Sequence, residues 1–257
     1  MNMKIGINSD MGEGFGNYRI CDDEALMGII SSANVACGFH AGDPIIMDRM
    51  VRLAKQRGVE VGAHPGLPDL LGFGRRVIQM DAAELEKHMV YQIGALQAIA
   101  ANAGHRVTHV SFHAAMGNMV NADPDMADVV ARAIAAINRD FIVFSQPDAE
   151  IVRAARKVGL RILTLFLADR AYDEHGHLVS RKLPNSVITS TEAVAERVKR
   201  FLDSGTVQTI EGKSIKVEAR SILIHSDTPG SVNLAGTVRR VIEQGGGEVT
   251  PATVLLN

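Results

Sequence analysis

The stretch PIIMDRMVRLAKQRGVEVGAH, residues 44–64, contains one complete helix–strand unit and sets the pattern for the whole chain. Pro44 suits the first turn of a helix, and Gly58 stands where a helix is expected to end. A short valine-containing run follows and predicts a strand over residues 59–63. This strand leads directly into His64, so a polar side chain is expected at its carboxyl end.

The same alternation extends in both directions from this unit. Short apolar runs predict six further strands, at residues 4–8, 34–37, 107–112, 141–144, 160–166 and 221–224. Longer amphipathic segments predict helices at residues 22–31, 44–57, 82–103, 124–138, 147–158, 191–202 and 232–243. Strict alternation is typical of a parallel sheet with helices outside it, and seven strands favour a closed barrel. We therefore predict an α/β fold, a single seven-stranded parallel (β/α)-barrel domain over residues 1–257.

Two segments interrupt the alternation. Residues 66–76 are rich in glycine, proline and arginine, which is typical of a loop at an active site. Residues 207–217, VQTIEGKSIKV, predict a small β-hairpin insertion that turns at Glu211, Gly212 and Lys213.

Charge and cysteine content exclude several functional classes. The chain of 257 residues has a formal net charge of −2 and scattered basic residues, which argues against a nucleic-acid partner or a polybasic membrane surface. Its two cysteines, Cys21 and Cys37, do not make a disulfide framework, so a cytoplasmic location is expected. We expect no signal peptide, because Asn8 and Asp10 precede any long apolar run, and no apolar stretch approaches the ~20 residues of a membrane span.

Polar side chains recur at or just after the carboxyl ends of the predicted strands. Because parallel strands place these ends on one rim of a barrel, we expect the side chains to meet there. One such histidine would more often cap its own strand, but histidines after four different strands favour convergence. The predicted catalytic residues are Asp10, His40, His64, His113, Asp169 and His225, and the predicted substrate-binding residues are Asn8, Glu13, Arg75, Arg170 and Asp227.

Such a rim supports more than one chemistry. Imidazoles and carboxylates can transfer protons near neutral pH, and Asp10, His40 and His64 could equally hold a divalent metal. No HExxH or CxxC motif decides between these alternatives. A nucleophilic Cys37 is conceivable, although a buried structural thiol is the preferred interpretation. Arg75 could clamp an anionic substrate.

Three long motifs resemble the LamB/YcsF family: NSDMGEGFG at 8–16, SANVACGFHAGDP at 32–44 and GAHPGLPDLLGFGRR at 62–76. Shorter matches follow in order, QIGALQAIA at 92–100, ADRAY at 168–172 and HSDTP at 225–229. Together they span essentially the whole chain.

This resemblance implies a barrel of the glycoside hydrolase/deacetylase type. The family includes a subunit of the bacterial ATP-dependent 5-oxoprolinase, so the resemblance implies that the chain helps to open 5-oxo-L-proline to L-glutamate with ATP and Mg. It further implies two partner subunits, B and C. In this interpretation Asp10 and the histidines position water or transfer protons. Arg75 or Arg170 holds the substrate carboxylate or a phosphate.

The chain departs from the family pattern at four positions. The family motif KPHGALYN is SFHAAMGN at 111–118, so Ser111 replaces a lysine and Gly117 a tyrosine. Leu165 stands where the family has a glutamate, and Ser226 replaces the glycine of an HGD motif. Either the lysine and glutamate are peripheral and the chemistry is intact, or the chain is a divergent paralogue acting on a different cyclic amide.

Two alternatives to an ATP-dependent subunit therefore stay open. One is a metal-dependent amide hydrolase or deacetylase on this barrel, and the other is a catalytically silent binding subunit. The sequence also leaves open whether the chain forms a homo-oligomer.

Overall fold

The computed structural model of the protein describes residues 3–257, so residues 1 and 2 of the predicted domain lie outside the described part. The strands in this part are β1 (Lys4–Met11), β2 (Ser32–Ala36), β3 (Glu60–His64), β4 (Val107–Ser111), β5 (Ile142–Ser145), β6 (Arg161–Leu167), β7 (Thr206–Gln208), β8 (Ser214–Lys216), β9 (Ser221–Ile224) and β10 (Glu248–Val249). The helices are α1 (Asp23–Met27), α2 (Pro44–Arg57), α3 (Ala82–Asn102), α4 (Ala114–Ala122), α5 (Pro124–Ile137), α6 (Glu150–Lys157), α7 (Thr191–Ser204), α8 (Ser231–Gln244) and α9 (Ala252–Leu255).

Seven parallel strands close into a barrel in the order β1-β2-β3-β4-β5-β6-β9, and β9 pairs back onto β1. This confirms the predicted seven-stranded parallel barrel. The two-residue strand β10 adds to β1 in parallel, outside the ring. The hairpin β7–β8 is a separate antiparallel pair at the predicted place, and Gly212 adopts a φ of +84° in its turn.

The helix–strand unit at residues 44–64 shows how the sequence specifies these elements. The Asp43 carboxylate accepts hydrogen bonds from the backbone N–H groups of Ile45 and Ile46 and caps the amino end of α2. Gly58 ends the helix in the left-handed conformation, with a φ of +69°. Ile46 and further apolar residues of one face pack into the core, and β3 then leads to His64.

The structure corrects several predicted boundaries. Strand β1 runs to Met11, so Asn8 and Asp10 lie within the strand and do not follow it. Helix α1 ends at Met27 because the chain turns into β2, and Ser31 already hydrogen-bonds to Ile7 of β1. Helix α6 begins at Glu150, after a turn at Pro147. Helices α4 and α9 and strand β10 were not predicted, because short segments carry little periodicity.

A chain of buried polar side chains crosses the barrel interior below the rim. Asn8 donates to Ser221 of β9 at 2.8 Å, and Asn34 donates to Asn8 at 3.1 Å and to Asp10 at 3.0 Å. The side-chain oxygen of Asn34, Oδ1, contacts Nε2 of His109 at 3.1 Å. The network fixes the Asp10 carboxylate from below. Its members are buried polar groups that satisfy one another.

None of the helices within residues 3–257 is long and apolar enough to cross a membrane.

Candidate active site

A cavity of about 1100 Å³ opens at the carboxyl ends of the barrel strands. Most of the predicted site residues lie at this end of the barrel. Those that line the cavity are Asp10, His64, Arg75, His113, Arg170 and His225. The other predicted residues lie behind its wall or at its edge, and Asn8 lies deeper in the barrel interior.

Four buried side chains form a compact cluster at one side of the cavity, here called the imidazole–carboxylate cluster: Glu13, His40, His64 and His113. The Oε1 atom of Glu13 lies 3.2 Å from His40 Nε2, 3.2 Å from His113 Nδ1 and 3.8 Å from His64 Nε2. One potential ligand atom from each residue lies within 4.8 Å of all the others. The predicted metal set contained Asp10 in place of Glu13 and His113. Asp10 lies beside the cluster, 3.5 Å from His64 Nε2.

Backbone carbonyls fix the orientation of two of the imidazoles. His64 Nδ1 lies 2.7 Å from the Ser111 carbonyl oxygen, and His113 Nε2 lies 2.8 Å from that of Phe73. Because a carbonyl oxygen only accepts, these two nitrogens carry the protons. In the neutral rings, His64 Nε2 and His113 Nδ1 then present lone pairs to each other at 3.0 Å, and both face Glu13. Such convergent lone pairs require a proton or a cation between them.

Burial controls the charges in the cluster. Burial lowers the pKa of His40 to about 3, with a further lowering from neighbouring His113. Burial also lowers the pKa of His64. Burial alone would raise the pKa of Glu13, but hydrogen bonds with His113 and His40 hold it well below its usual value. The cluster therefore combines a carboxylate that favours its ionised form with two imidazoles, those of His40 and His64, that favour their neutral form, and metal ions bind ligands in these states.

The loop between β3 and α3 presses against the cluster at two points, and each contact requires a glycine. A Cβ on Gly66 would lie 2.4 Å from His40 Nδ1, and the Gln92 side chain holds Gly66 through two 2.9 Å hydrogen bonds to its N–H and C=O groups. A Cβ on Gly74 would lie 2.6 Å from His40 Cβ. Phe73, just before it, adopts a φ of +54°, a left-handed conformation that is uncommon for a phenylalanine.

Asp169 and His225 form a second polar pair at the rim, after strands β6 and β9. His225 Nδ1 lies 3.0 Å from both carboxylate oxygens of the fully buried Asp169, and Thr228 Oγ1 donates to the same carboxylate at 2.7 Å. Burial alone would lower the pKa of His225, but the Asp169 charge and hydrogen bond raise it. Asp169 therefore favours the imidazolium form of His225, and because His225 borders the cavity this suits proton donation.

The predicted substrate-binding arginines differ in their surroundings. Arg75 donates to the Asp227 carboxylate at 2.5 Å at the cavity edge. Arg170 instead donates to the carbonyl oxygens of Val179 at 2.6 Å and Ser186 at 3.3 Å. Its guanidinium thus holds the segment between β6 and α7 while the side chain also lines the cavity, and its predicted contact with substrate stays a prediction.

Cys37 lies in the core, with Sγ 3.1 Å from the Val35 carbonyl oxygen, and burial raises its pKa to about 12. This agrees with the preferred interpretation of a structural thiol, because a thiol held protonated is a poor nucleophile.

Sequence reasoning missed four residues that shape the site: Asn34, Gln92, Thr228 and Arg181. Asn34 and Gln92 carried a readable signal, since Asn34 lies in a short strand that is wholly buried and Gln92 lies on the otherwise apolar buried face of α3. Thr228 and Arg181 lie in loops without periodicity, and their partners come from distant parts of the chain.

The departures from the family pattern fall on the same cavity. Ser111, Gly117 and Leu165 line it, and Ser111 and Leu165 are both buried. The Ser226 hydroxyl donates to Glu13 Oε2 at 3.1 Å, so this residue contacts the imidazole–carboxylate cluster directly.

A closed parallel α/β barrel with clustered histidines and carboxylates at the carboxyl ends of its strands defines the class of protein, a (β/α)-barrel with an enzyme-like site. The chain belongs to the LamB/YcsF family, whose model matches residues 5–257.

Two relatives are both named as the A subunit of 5-oxoprolinase. The chain is 97% identical over 255 residues to 5-oxoprolinase A subunit 1 of Bradyrhizobium diazoefficiens, covering 99% of this chain and 100% of that protein. It is 63% identical to the 5-oxoprolinase A subunit of Pectobacterium atrosepticum, over 97% of each. Among solved structures, the lactam utilization protein from Thermus thermophilus superposes with a TM-score of 0.91 at 38% identity, covering 96% of this chain and 99% of that one.

Proposed function

We propose that this chain is the A subunit of a cytoplasmic, ATP-dependent 5-oxoprolinase that opens 5-oxo-L-proline to L-glutamate with partner subunits B and C. The 97% identity to a protein of that name, over nearly the whole of both chains, is the observation that carries the proposal. The cavity supports it, because carboxylates and imidazoles suited to amide hydrolysis line one space.

Ring opening adds water to the C5 carbonyl carbon, breaks the bond from C5 to the ring nitrogen and leaves that nitrogen as an amine. The amide is resonance-stabilised, and ATP with Mg supplies the phosphoryl group that makes its carbonyl carbon more electrophilic, ending as ADP and phosphate. The chain must therefore place a water, remove a proton from it and deliver a proton to the ring nitrogen.

The two polar groups of the cavity suit these opposite tasks. Asp10, fixed by Asn34, and the imidazole–carboxylate cluster would orient and deprotonate water. His225, whose pKa is raised by the Asp169 carboxylate, would protonate the departing nitrogen.

Turnover tests this proposal. We expect the chain reconstituted with subunits B and C to release glutamate and ADP from 5-oxoproline and ATP, and Asp10→Asn to lower kcat about 10²-fold or more. His105→Gln is the matched control, because His105 lies outside the cavity residues. Near-normal turnover by Asp10→Asn would remove Asp10 from the mechanism. Lactam binding without any turnover would favour a silent binding subunit.

The converging lone pairs of His64 and His113 favour a second candidate, a divalent metal in the imidazole–carboxylate cluster. The donor set fits such an ion, since three imidazoles and one carboxylate are ligands that zinc and similar metals accept. Two of these imidazoles already hydrogen-bond to carbonyls through their other nitrogen, as metal-bound histidines do. A bound ion would polarise a carbonyl or acidify water.

Metal analysis of the purified full chain separates this candidate from a proton-only cluster. We expect stoichiometric metal in the wild type and its loss in Glu13→Gln, with a lower melting temperature. Glu196→Gln, which removes an exposed carboxylate on α7, should keep the metal. Wild-type chain that stays free of metal after incubation with zinc, manganese or cobalt contradicts the metal site.

A further inference from the structure

Two arginines share one carboxylate at the edge of the cavity. Arg75 Nη2 lies 2.5 Å from Asp227 Oδ2, and Arg181 Nη2 lies 3.7 Å from Asp227 Oδ1. Two guanidinium charges against one carboxylate leave a single positive charge uncompensated. Both arginine side chains line the cavity and are still partly exposed, 35% for Arg75 and 26% for Arg181. An anion entering the cavity can therefore reach them.

Arg181 lies in the long segment between β6 and α7, yet this segment is fixed from within. The buried Arg170 donates to the carbonyl oxygens of Val179 and Ser186, which lie on either side of Arg181 in the sequence. The Tyr172 hydroxyl accepts from the backbone N–H of Leu167 and ties the start of the segment to β6. Arg181 is thus presented by an anchored loop, and less conformational freedom is lost when it binds a ligand.

The arginine pair is close to the groups proposed for the chemistry. The Arg75 guanidinium lies 4.9 Å from the centroid of the Phe73 ring, and the His113 ring centroid lies 5.1 Å from the same point. Asp227 follows His225 by two residues in the turn after β9. A small molecule can therefore touch the arginines while its reacting bond lies among the imidazoles.

We propose that Arg181, together with Arg75, binds the carboxylate of the lactam substrate, and that Asp227 orients the two guanidiniums. The planar guanidinium forms paired hydrogen bonds with a carboxylate, and a substrate anion would neutralise the remaining positive charge. The site then selects lactams that carry a carboxylate over neutral lactams of the same ring. This inference rests on the proposed function for the identity of the ring.

Calorimetric measurement of ligand binding to the full chain tests the role of Arg181 and Arg75. The two ligands, 5-oxoproline and 2-pyrrolidinone, differ only in the carboxylate. We expect the wild type to bind 5-oxoproline more tightly. Arg181→Gln should weaken the binding of 5-oxoproline at least tenfold and leave the binding of 2-pyrrolidinone unchanged. Arg181→Lys should retain part of the affinity for 5-oxoproline. In the complex with subunits B and C, Arg181→Gln should raise KM for 5-oxoproline far more than it lowers kcat.

Lys182→Gln is the matched control, because it removes a neighbouring exposed positive charge that does not pair with Asp227. Its affinity for 5-oxoproline should stay within about twofold of the wild type. The proposal is overturned if Arg181→Gln weakens both ligands equally, if Lys182→Gln has the same effect, or if the wild type shows no preference for the carboxylate-bearing ligand. Tighter Arg181-dependent binding of inorganic phosphate than of 5-oxoproline also overturns it. Absent glutamate release by the wild-type complex counts against the proposed function, independently of the binding series.

Discussion

The imidazoles of His40 and His113 stack face to face, with ring centroids 3.7 Å apart and planes within 7° of each other. Two protonated rings at this distance would repel strongly in a buried site. Both rings also contact the same oxygen of Glu13, at 3.2 Å each. The stack therefore keeps His40 neutral and leaves Glu13 as the charged member, so a cation or proton is drawn toward Glu13 and away from His40.

The close packing of this stack against Gly74 gives the first prediction. Gly74→Ala places a methyl group 2.6 Å from His40 Cβ and 2.9 Å from His113 Cδ2, at a φ of +61°. We expect a loss of unfolding free energy about 1–3 kcal/mol larger than backbone strain alone produces, and a clear loss of activity. Chemical denaturation and turnover measure these effects.

Gly58→Ala is its matched control. Gly58 has a similar φ of +69°, but a Cβ there meets nothing within 4 Å. This variant should lose only the about 1–2 kcal/mol of unfolding free energy that backbone strain costs, and its turnover should be normal. Equal effects of the two substitutions would mean that contact with the histidine stack is unimportant.

The second prediction concerns the pH profile set by Asp169. Asp169 raises the pKa of His225 against the opposing effect of burial, so His225 keeps its proton to higher pH. In Asp169→Asn burial acts without this charge, and the His225 pKa falls. We expect kcat/KM to drop about 10²- to 10⁴-fold. The alkaline limb of the plot of kcat/KM against pH should move to lower pH. An unchanged limb would show that His225 does not act as the acid.

The third prediction links the buried His109 to acid stability. Burial lowers the pKa of His109 to about 3, below the ordinary value of 6.5. Between these values the unfolded chain binds a proton that the folded chain rejects, so the stability from this group is complete above pH 6.5 and decreases toward pH 3. His109→Gln should reduce the slope of unfolding free energy against pH by about 1.4 kcal/mol per pH unit.

Urea titrations at several pH values between about 4 and 6 measure this slope. His175→Gln is the control, because the His175 ring is largely exposed and hydrated in folded and unfolded chains alike. A His109→Gln slope equal to that of the wild type would contradict a neutral buried ring. The slope is informative even if His109→Gln lowers stability at every pH.

The fourth prediction concerns the lysine and glutamate that the family resemblance leads one to expect. Ser111 of β4 pairs with Phe144 of β5, and Phe144 pairs with Leu163 of β6, two residues before Leu165. Ser111 and Leu165 thus lie on neighbouring parts of one cavity wall. Ser111→Lys or Leu165→Glu alone introduces an unpaired charge there, and each should destabilise the fold.

The double variant should be more stable than the sum of the single effects predicts, by about 1–3 kcal/mol, because the new charges can pair. A double-mutant cycle in unfolding free energy provides this number. Strictly additive effects would mean that the two positions do not interact, and that their departures from the family pattern are independent.

The barrel and its rim could be predicted from the amino-acid sequence. Helix α2 has the predicted bounds because Pro44 and Gly58 act locally, through a fixed φ and a left-handed turn. The seven strands follow from apolar runs that must be buried on both faces. The convergence of Asp169 and His225 follows from parallel topology, since every strand in such a barrel ends on the same rim.

Which rim residues touch, and which groups each arginine contacts, depends on contacts that form only in the folded chain. Glu13 joins His40, His64 and His113 because loops from three strands fold inward, and such contacts have no periodic signal in the chain. Arg170 and Arg181 both line the cavity, yet the Arg170 guanidinium donates to backbone carbonyls whereas that of Arg181 faces the Asp227 carboxylate. Burial, charge balance and orientation depend on neighbours distant in sequence, so the different partners of these two arginines could not be predicted from the sequence.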